Sequence, residues 1–236
     1  MRVVSGIILA LDYPSAGRAL ELVDLLAGRV NFYKVGLELF AREGPAVVHH
    51  LRNRKKQVFL DLKLHDIPRT VAGAVAAASD IGARLVTVHT AGGAHMMEAA
   101  AEAAKDGTRL LGVTMLTSLG TSSLPRRADG ARVTLEDHVL QLAGGARAAG
   151  LDGVVASPLE AAALRRRFGD GLLVVTPGIR LPQQSLHDQR RVATPRRARE
   201  AGADYLVIGR AVTGAPDPRA ALDAVERDLA PALRDA

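Results

Sequence analysis

Most of the 31 basic residues in this 236-residue chain are arginines; the lysines are only Lys34, Lys55, Lys56, Lys63 and Lys105. A lysine placed beside carboxylates is therefore informative. Lys63 stands two residues after Asp61 and three before Asp66. If the stretch is a strand, alternation points Asp61 and Lys63 to the same face. At about 4 Å and an effective dielectric near 20, such a pair is worth roughly 4 kcal/mol. That holds Lys63 as an ammonium, a proton donor rather than the neutral amine a Schiff-base route needs. Asp12 and Lys34, on two earlier apolar runs, are expected to extend the pair into an alternating-charge network that fixes protonation and orientation. The plainer alternative is an ion-pair layer that only fills space. Asp66 falls beyond the run, in the turn His65-Asp66-Ile67-Pro68, where capping the next helix and serving the site are both open.

Further along, Gly178 with Arg180 and Gly209 with Arg210 combine close backbone approach with bidentate donors, a pairing suited to phosphate. Thr117-Ser118 add hydroxyls after another apolar run. A metal on His89, Asp61 and Asp66 is disfavoured: there is no HExxH motif and no cysteine, and Lys63 already brings positive charge to the carboxylates. No metal is expected.

The elements that must position these residues follow from periodicity. Apolar runs at residues 3–11, 32–35, 58–62, 85–88, 110–115, 153–156, 172–175 and 205–208 alternate with alanine-rich amphipathic stretches, the pattern of parallel strands with helical crossovers. In the stretch 16–27, Ala19, Leu22, Val23 and Leu26 form one apolar stripe; stretches 135–146 and 221–229 read alike. Ser157-Pro158-Leu159-Glu160 has the form of a capping box with Pro at the first helical position, and Thr194-Pro195 repeats the entry. Eight units of about thirty residues each make a (β/α)8 TIM barrel, a single domain over residues 1–236. Such barrels react at the carboxyl ends of their strands and commonly hold phosphate after the last two. Asp12, Lys34, Asp61, Lys63, His89, Thr117, Arg180 and Arg210 all fall there. The polar segments 119–133 and 181–192 are candidate active-site loops.

Composition narrows the rest. With 48% apolar residues the chain is not disordered. The run 3–11 is half the roughly 18 residues a membrane span needs. Without cysteine no oxidising compartment is required, so the expected location is the cytoplasm. The net charge of +6 sits on scattered arginines, among them Arg126-Arg127, 165–167 and Arg196-Arg197, and only seven aromatics are present, none of them Trp. Nucleic acid and membrane are therefore not expected partners.

The stretch Leu60-Asp61-Leu62-Lys63-Leu64-His65-Asp66-Ile67-Pro68 closely resembles the signature of the orotidine 5'-phosphate decarboxylase family. Further matches follow in the family's order: Ala10-Leu11-Asp12, Lys34-Val35-Gly36, Leu116-Thr117-Ser118, Thr176-Pro177-Gly178-Ile179-Arg180, Asp188-Gln189-Arg190-Arg191 and Ile208-Gly209-Arg210. The resemblance implies a cofactor-free decarboxylation of orotidine 5'-monophosphate to UMP in a homodimer with sites at the interface. It implies that Asp61 and Lys63 of one chain combine with Asp66 and Thr70 of the other. Asp12 and Lys34 would hold the ribose and the charge network, Thr117 and Ser118 the pyrimidine edge, and Gln189, Gly209 and Arg210 the phosphate, with Arg180 close by. Arg69 stands where many relatives have Asn, and His187 where Gly is common. The alternatives are a magnesium-dependent sugar-phosphate decarboxylase or synthase of the same superfamily, and a non-enzymatic sensor of nucleotide phosphate.

Overall fold

A computed structural model describes residues 6–119, 124, 133–182 and 191–230. All eight apolar runs form strands: β1 (Ile7–Ala10), β2 (Phe32–Gly36), β3 (Gln57–Leu64), β4 (Leu85–His89), β5 (Arg109–Val113), β6 (Gly153–Val155), β7 (Leu173–Thr176) and β8 (Tyr205–Ile208). They pair in parallel in chain order and close, β8 against β1, into the expected (β/α)8 barrel. The helices are α1 (Ala16–Leu25), α2 (Leu37–Glu43), α3 (Ala46–Asn53), α4 (Pro68–Asp80), α5 (Ala94–Ala103), α6 (Leu135–Ala148), α7 (Ala161–Phe168), α8 (Pro195–Glu200), α9 (Arg210–Thr213) and α10 (Pro218–Leu229). Among the described residues no helix is long and apolar enough to cross a membrane.

Strand alternation divides the core in two. Ile8, Ala10, Phe32, Phe59, Leu85, Leu111, Val175 and Val207 fill the barrel interior, with Phe32 and Tyr205 edge to face at 5.7 Å. The intervening residues, such as Leu9, Val35, Leu60, Val86 and Leu206, meet helix stripes outside, including Ala19, Leu22, Val23 and Leu26. Burying both faces of every strand explains why the runs read as continuous apolar segments.

Two local expectations part company. Thr194 does cap α8, accepting the Arg197 N–H at 3.3 Å, with Pro195 opening the helix. Ser157 does not cap α7: its hydroxyl accepts the Leu159 N–H at 3.1 Å in a turn, and the helix starts four residues later, at Ala161. Glu160 is itself the N-cap residue of α7, with no side-chain cap bond, and its carboxylate pairs with Arg191 at 3.0 Å.

Candidate active site

The residues that face the barrel interior turn from apolar to polar as the strands rise. On β1, Ile8 and Ala10 lead to Asp12 just beyond; on β2, Phe32 leads to Lys34; on β3, Phe59 leads to Asp61; on β4, Leu85 leads to Thr87. Neighbouring strands thus bring opposite charges together at the mouth. Lys34 Nζ lies 3.0 Å from Asp12 Oδ1 and 3.6 Å from Asp61 Oδ2, and Lys63 Nζ lies 2.8 Å from Asp61 Oδ1. The order Asp12, Lys34, Asp61, Lys63 is the expected alternating row. Burial pushes the Asp61 carboxyl up, but the Lys34 and Lys63 ammonium groups, with hydrogen bonds from Lys63 and Thr87, bring it below its ordinary value. Gly36 leaves room for the row, since a Cβ there would stand 3.0 Å from Lys34 Nζ.

The Asp61–Lys63 contact forms by a different route from simple alternation. Leu60 pairs with Val86 and Leu64 with Val88, so four steps along β3 face two along β4. The surplus is a bulge in which Lys63 takes φ 51°, left-handed backbone uncommon outside glycine. Thr87 supports it: its hydroxyl accepts the Lys63 N–H at 2.8 Å and donates to Asp61 Oδ1 at 3.1 Å. Sequence reasoning missed Thr87, although one hydroxyl inside the run Leu-Val-Thr-Val-His was a signal.

Beside the charge row lies a cavity of about 210 Å3, lined also by Thr117, Arg180, Arg210 and the glycines Gly178 and Gly209. Arg180 is buried and donates to its neighbour's carbonyl, Ile179 O, at 2.9 Å; Gly178 before it takes φ 81°, which glycine adopts without steric cost. Ser118, Asp66 and Thr70 are exposed and do not line this cavity. Asp66 accepts the Ile67 N–H at 2.6 Å, but the N-cap position of α4 is Ile67 and no side chain caps it. Gln189 lies outside the described residues, as do parts of both candidate loops.

Arg191 enters the sequence reading only through the motif Asp188-Gln189-Arg190-Arg191, with no role of its own. It is buried, pairs with Glu160 at 3.0 Å, and donates to the carbonyls of Met115 and Leu116 at 3.2 and 3.0 Å. It thereby ties the segment after β7 to those after β5 and β6. Burial pushes the Glu160 carboxyl above its ordinary value despite Arg191.

The residues weighed for a metal do not converge. His89 stacks on His65 at 5.3 Å and accepts the Ala91 N–H on Nδ1 at 3.2 Å, while the oxygens of Asp61 face the two lysines and Thr87. Among the described residues no group of three or more His, Asp or Glu could hold an ion. Burial, then the neighbouring His65 and Lys63, lowers the His89 imidazole below its ordinary value of 6.5.

A closed parallel barrel whose mouth holds an ammonium–carboxylate row and two arginines around one small cavity belongs to the class of TIM-barrel enzymes. The comparisons narrow the class. The family model described as orotidine 5'-phosphate decarboxylase / HUMPS matches residues 5–225. A curated relative from Halorhodospira halophila, named orotidine 5'-phosphate decarboxylase, is 50% identical over 237 residues and covers 96% of each chain. One of the same name from Alkalilimnicola ehrlichii is 51% identical over 229 residues, covering 96% of this chain and 97% of its own. The crystal structure of orotidine 5'-phosphate decarboxylase from Lactobacillus acidophilus superposes with a TM-score of 0.81 at 37% identity, covering 95% of this chain and 99% of that one. The chain belongs to the orotidine 5'-phosphate decarboxylase / HUMPS family.

Proposed function

We propose that this chain removes carbon dioxide from orotidine 5'-monophosphate to form UMP, the last step of de novo pyrimidine synthesis, without a cofactor. The observation that carries this reading is the row Asp12, Lys34, Asp61, Lys63 at the barrel mouth. Breaking the bond between carbon six and the carboxyl group leaves an electron pair in the plane of the ring, where the π system cannot disperse it. The barrier is then extreme, and catalysis calls for preorganised charge that meets the carbanion more strongly than the substrate. Lys63 supplies that charge. As carbon dioxide leaves, one Nζ proton passes to carbon six, and the lysine regains a proton from water. Two readings of Asp61 exist: repelling the substrate carboxylate, or orienting the lysines. Its close contacts with both lysines and Thr87 support orientation as the larger role.

Asp12 and Lys34 take the ribose, and Thr117 and Ser118 the pyrimidine edge. Gln189, Gly209 and Arg210 take the phosphate, beside Arg180. The chain acts as a homodimer in which Asp66 and Thr70 complete the opposite site. Support comes from their position outside their own chain's cavity and from the apolar Leu37 and Ile67, exposed by 58% and 65% near the mouth.

Orotidine 5'-monophosphate absorbance, followed in excess EDTA with the wild type and Lys63→Ala, tests the reading. Conversion to UMP by the wild type alone is expected. A folded wild type that leaves the substrate intact overturns it, and activity only on adding magnesium transfers the chain to its sugar-phosphate relatives.

A further inference from the structure

We propose that Thr87 is a positioning residue for this reaction, holding the Lys63 backbone and the Asp61 carboxylate in register through one buried hydroxyl. The inference rests on Lys63 being the proton donor. Thr87 is fully buried in β4, at an interior position between Leu85 and His89. Its Oγ1 accepts the Lys63 N–H at 2.8 Å and donates to Asp61 Oδ1 at 3.1 Å, the same oxygen that Lys63 Nζ reaches at 2.8 Å. These contacts close a ring from Lys63 backbone to Thr87, to Asp61, and back to the Lys63 ammonium.

The bulge explains why a side chain is needed there. Between the pairs Leu60–Val86 and Leu64–Val88 the ladder slips, and Lys63 N–H points to a hydroxyl of the adjacent strand. A buried N–H must find an acceptor. A hydroxyl accepts and donates at once, so one group satisfies the left-handed residue and fixes the carboxylate that orients its ammonium. Valine has nearly the same shape and can do neither. Thr87 does not line the cavity, so it acts through Lys63 and Asp61.

Removing the hydroxyl should displace the Lys63 ammonium while leaving the rest of the cavity lining in place. A misplacement near 1 Å costs about 100-fold in rate. Asp61 also loses a hydrogen bond to its charged form, which moves the acid limb of kcat to higher pH. Facing that carboxylate are Lys34 from β2 and Lys63, with Asp12 beyond Lys34 and His65 and His89 near Lys63; none of these groups is itself replaced in the variants.

The experiment compares kcat, KM and the pH profile of Thr87→Val and Thr87→Ser, with thermal melts for both. Thr87→Val is expected to lose about 100-fold in kcat, with KM nearly unchanged and the acid limb raised, while Thr87→Ser stays close to wild type. Wild-type kcat and acid limb in Thr87→Val overturn the proposal, as does a Thr87→Ser equally impaired with a normal melt. If Thr87→Val does not fold, Thr87→Ala takes its place against Thr87→Ser under the same criteria. An inactive wild type, or a fully active Lys63→Ala, sinks the decarboxylase mechanism itself; normal Thr87→Val beside a dead Lys63→Ala sinks only the role of Thr87.

Discussion

Asp61 is the carboxylate on which the mouth depends, because it separates two ammonium groups that would otherwise face each other. Replacing it by Asn keeps the shape and removes the charge. Asp61→Asn is expected to lower kcat by about 10²–10³-fold, the range for removing one preorganised electrostatic group, as read by steady-state kinetics. Its pH signature has a definite sign. The folded carboxyl lies below its ordinary value of 3.8, so on acidification the unfolded chain takes up that proton first. The contribution of Asp61 to stability is present above that value and is lost as pH falls through the lower folded one. Urea midpoints measured down through that range should fall more steeply in the wild type than in Asp61→Asn. Parallel curves would show that the lysines do not hold the charge.

Among the elements, β3 and the segment entering α8 do the positioning. A regular β3 would keep Lys63 in the ladder and carry its side chain along the strand face; the bulge instead folds the ammonium back onto Asp61. Arg191 plays the corresponding part on the other side of the mouth, with its side chain 7% and that of Glu160 6% exposed. Breaking such a pair from one side leaves a buried charge without its partner, typically a loss of about 3–5 kcal/mol. Arg191→Met should show a loss of that order in urea unfolding. The double replacement Arg191→Met/Glu160→Leu should recover most of it, since an apolar pair of similar volume removes the charge left behind. No recovery would mean that the bonds to the Met115 and Leu116 carbonyls, and not the ion pair, hold the three segments together.

For the molecule as a whole, the question is whether one chain completes a site. Lys63 lines the cavity and Asp66 does not, although they stand only three positions apart in sequence. If a partner chain supplies Asp66, mixing inactive Lys63→Ala with inactive Asp66→Ala under exchange conditions forms heterodimers with one intact site each. Two-fold symmetry then predicts recovery of about one quarter of wild-type activity. No recovery, with exchange verified by mass, would place Lys63 and Asp66 of one chain in the same site.

The amino-acid sequence by itself determined the architecture. Eight apolar runs separated by amphipathic stretches admit few parallel topologies, and the closed barrel followed without knowledge of any contact. It also placed Asp12, Lys34 and Asp61 at the mouth, because they continue the inward-facing alternation of their strands. Only the tertiary structure decided how those residues are held. Lys63 owes its backbone to Thr87, 24 positions away. Glu160 is paired with Arg191, 31 positions away, and Arg191 meets the Leu116 carbonyl across 75. Local periodicity records which face a side chain takes. It does not record where two strands slip in register, nor which distant group satisfies a buried donor; those follow from closing the barrel, when separate strand ends are brought within hydrogen-bond distance and every buried polar atom must find a partner.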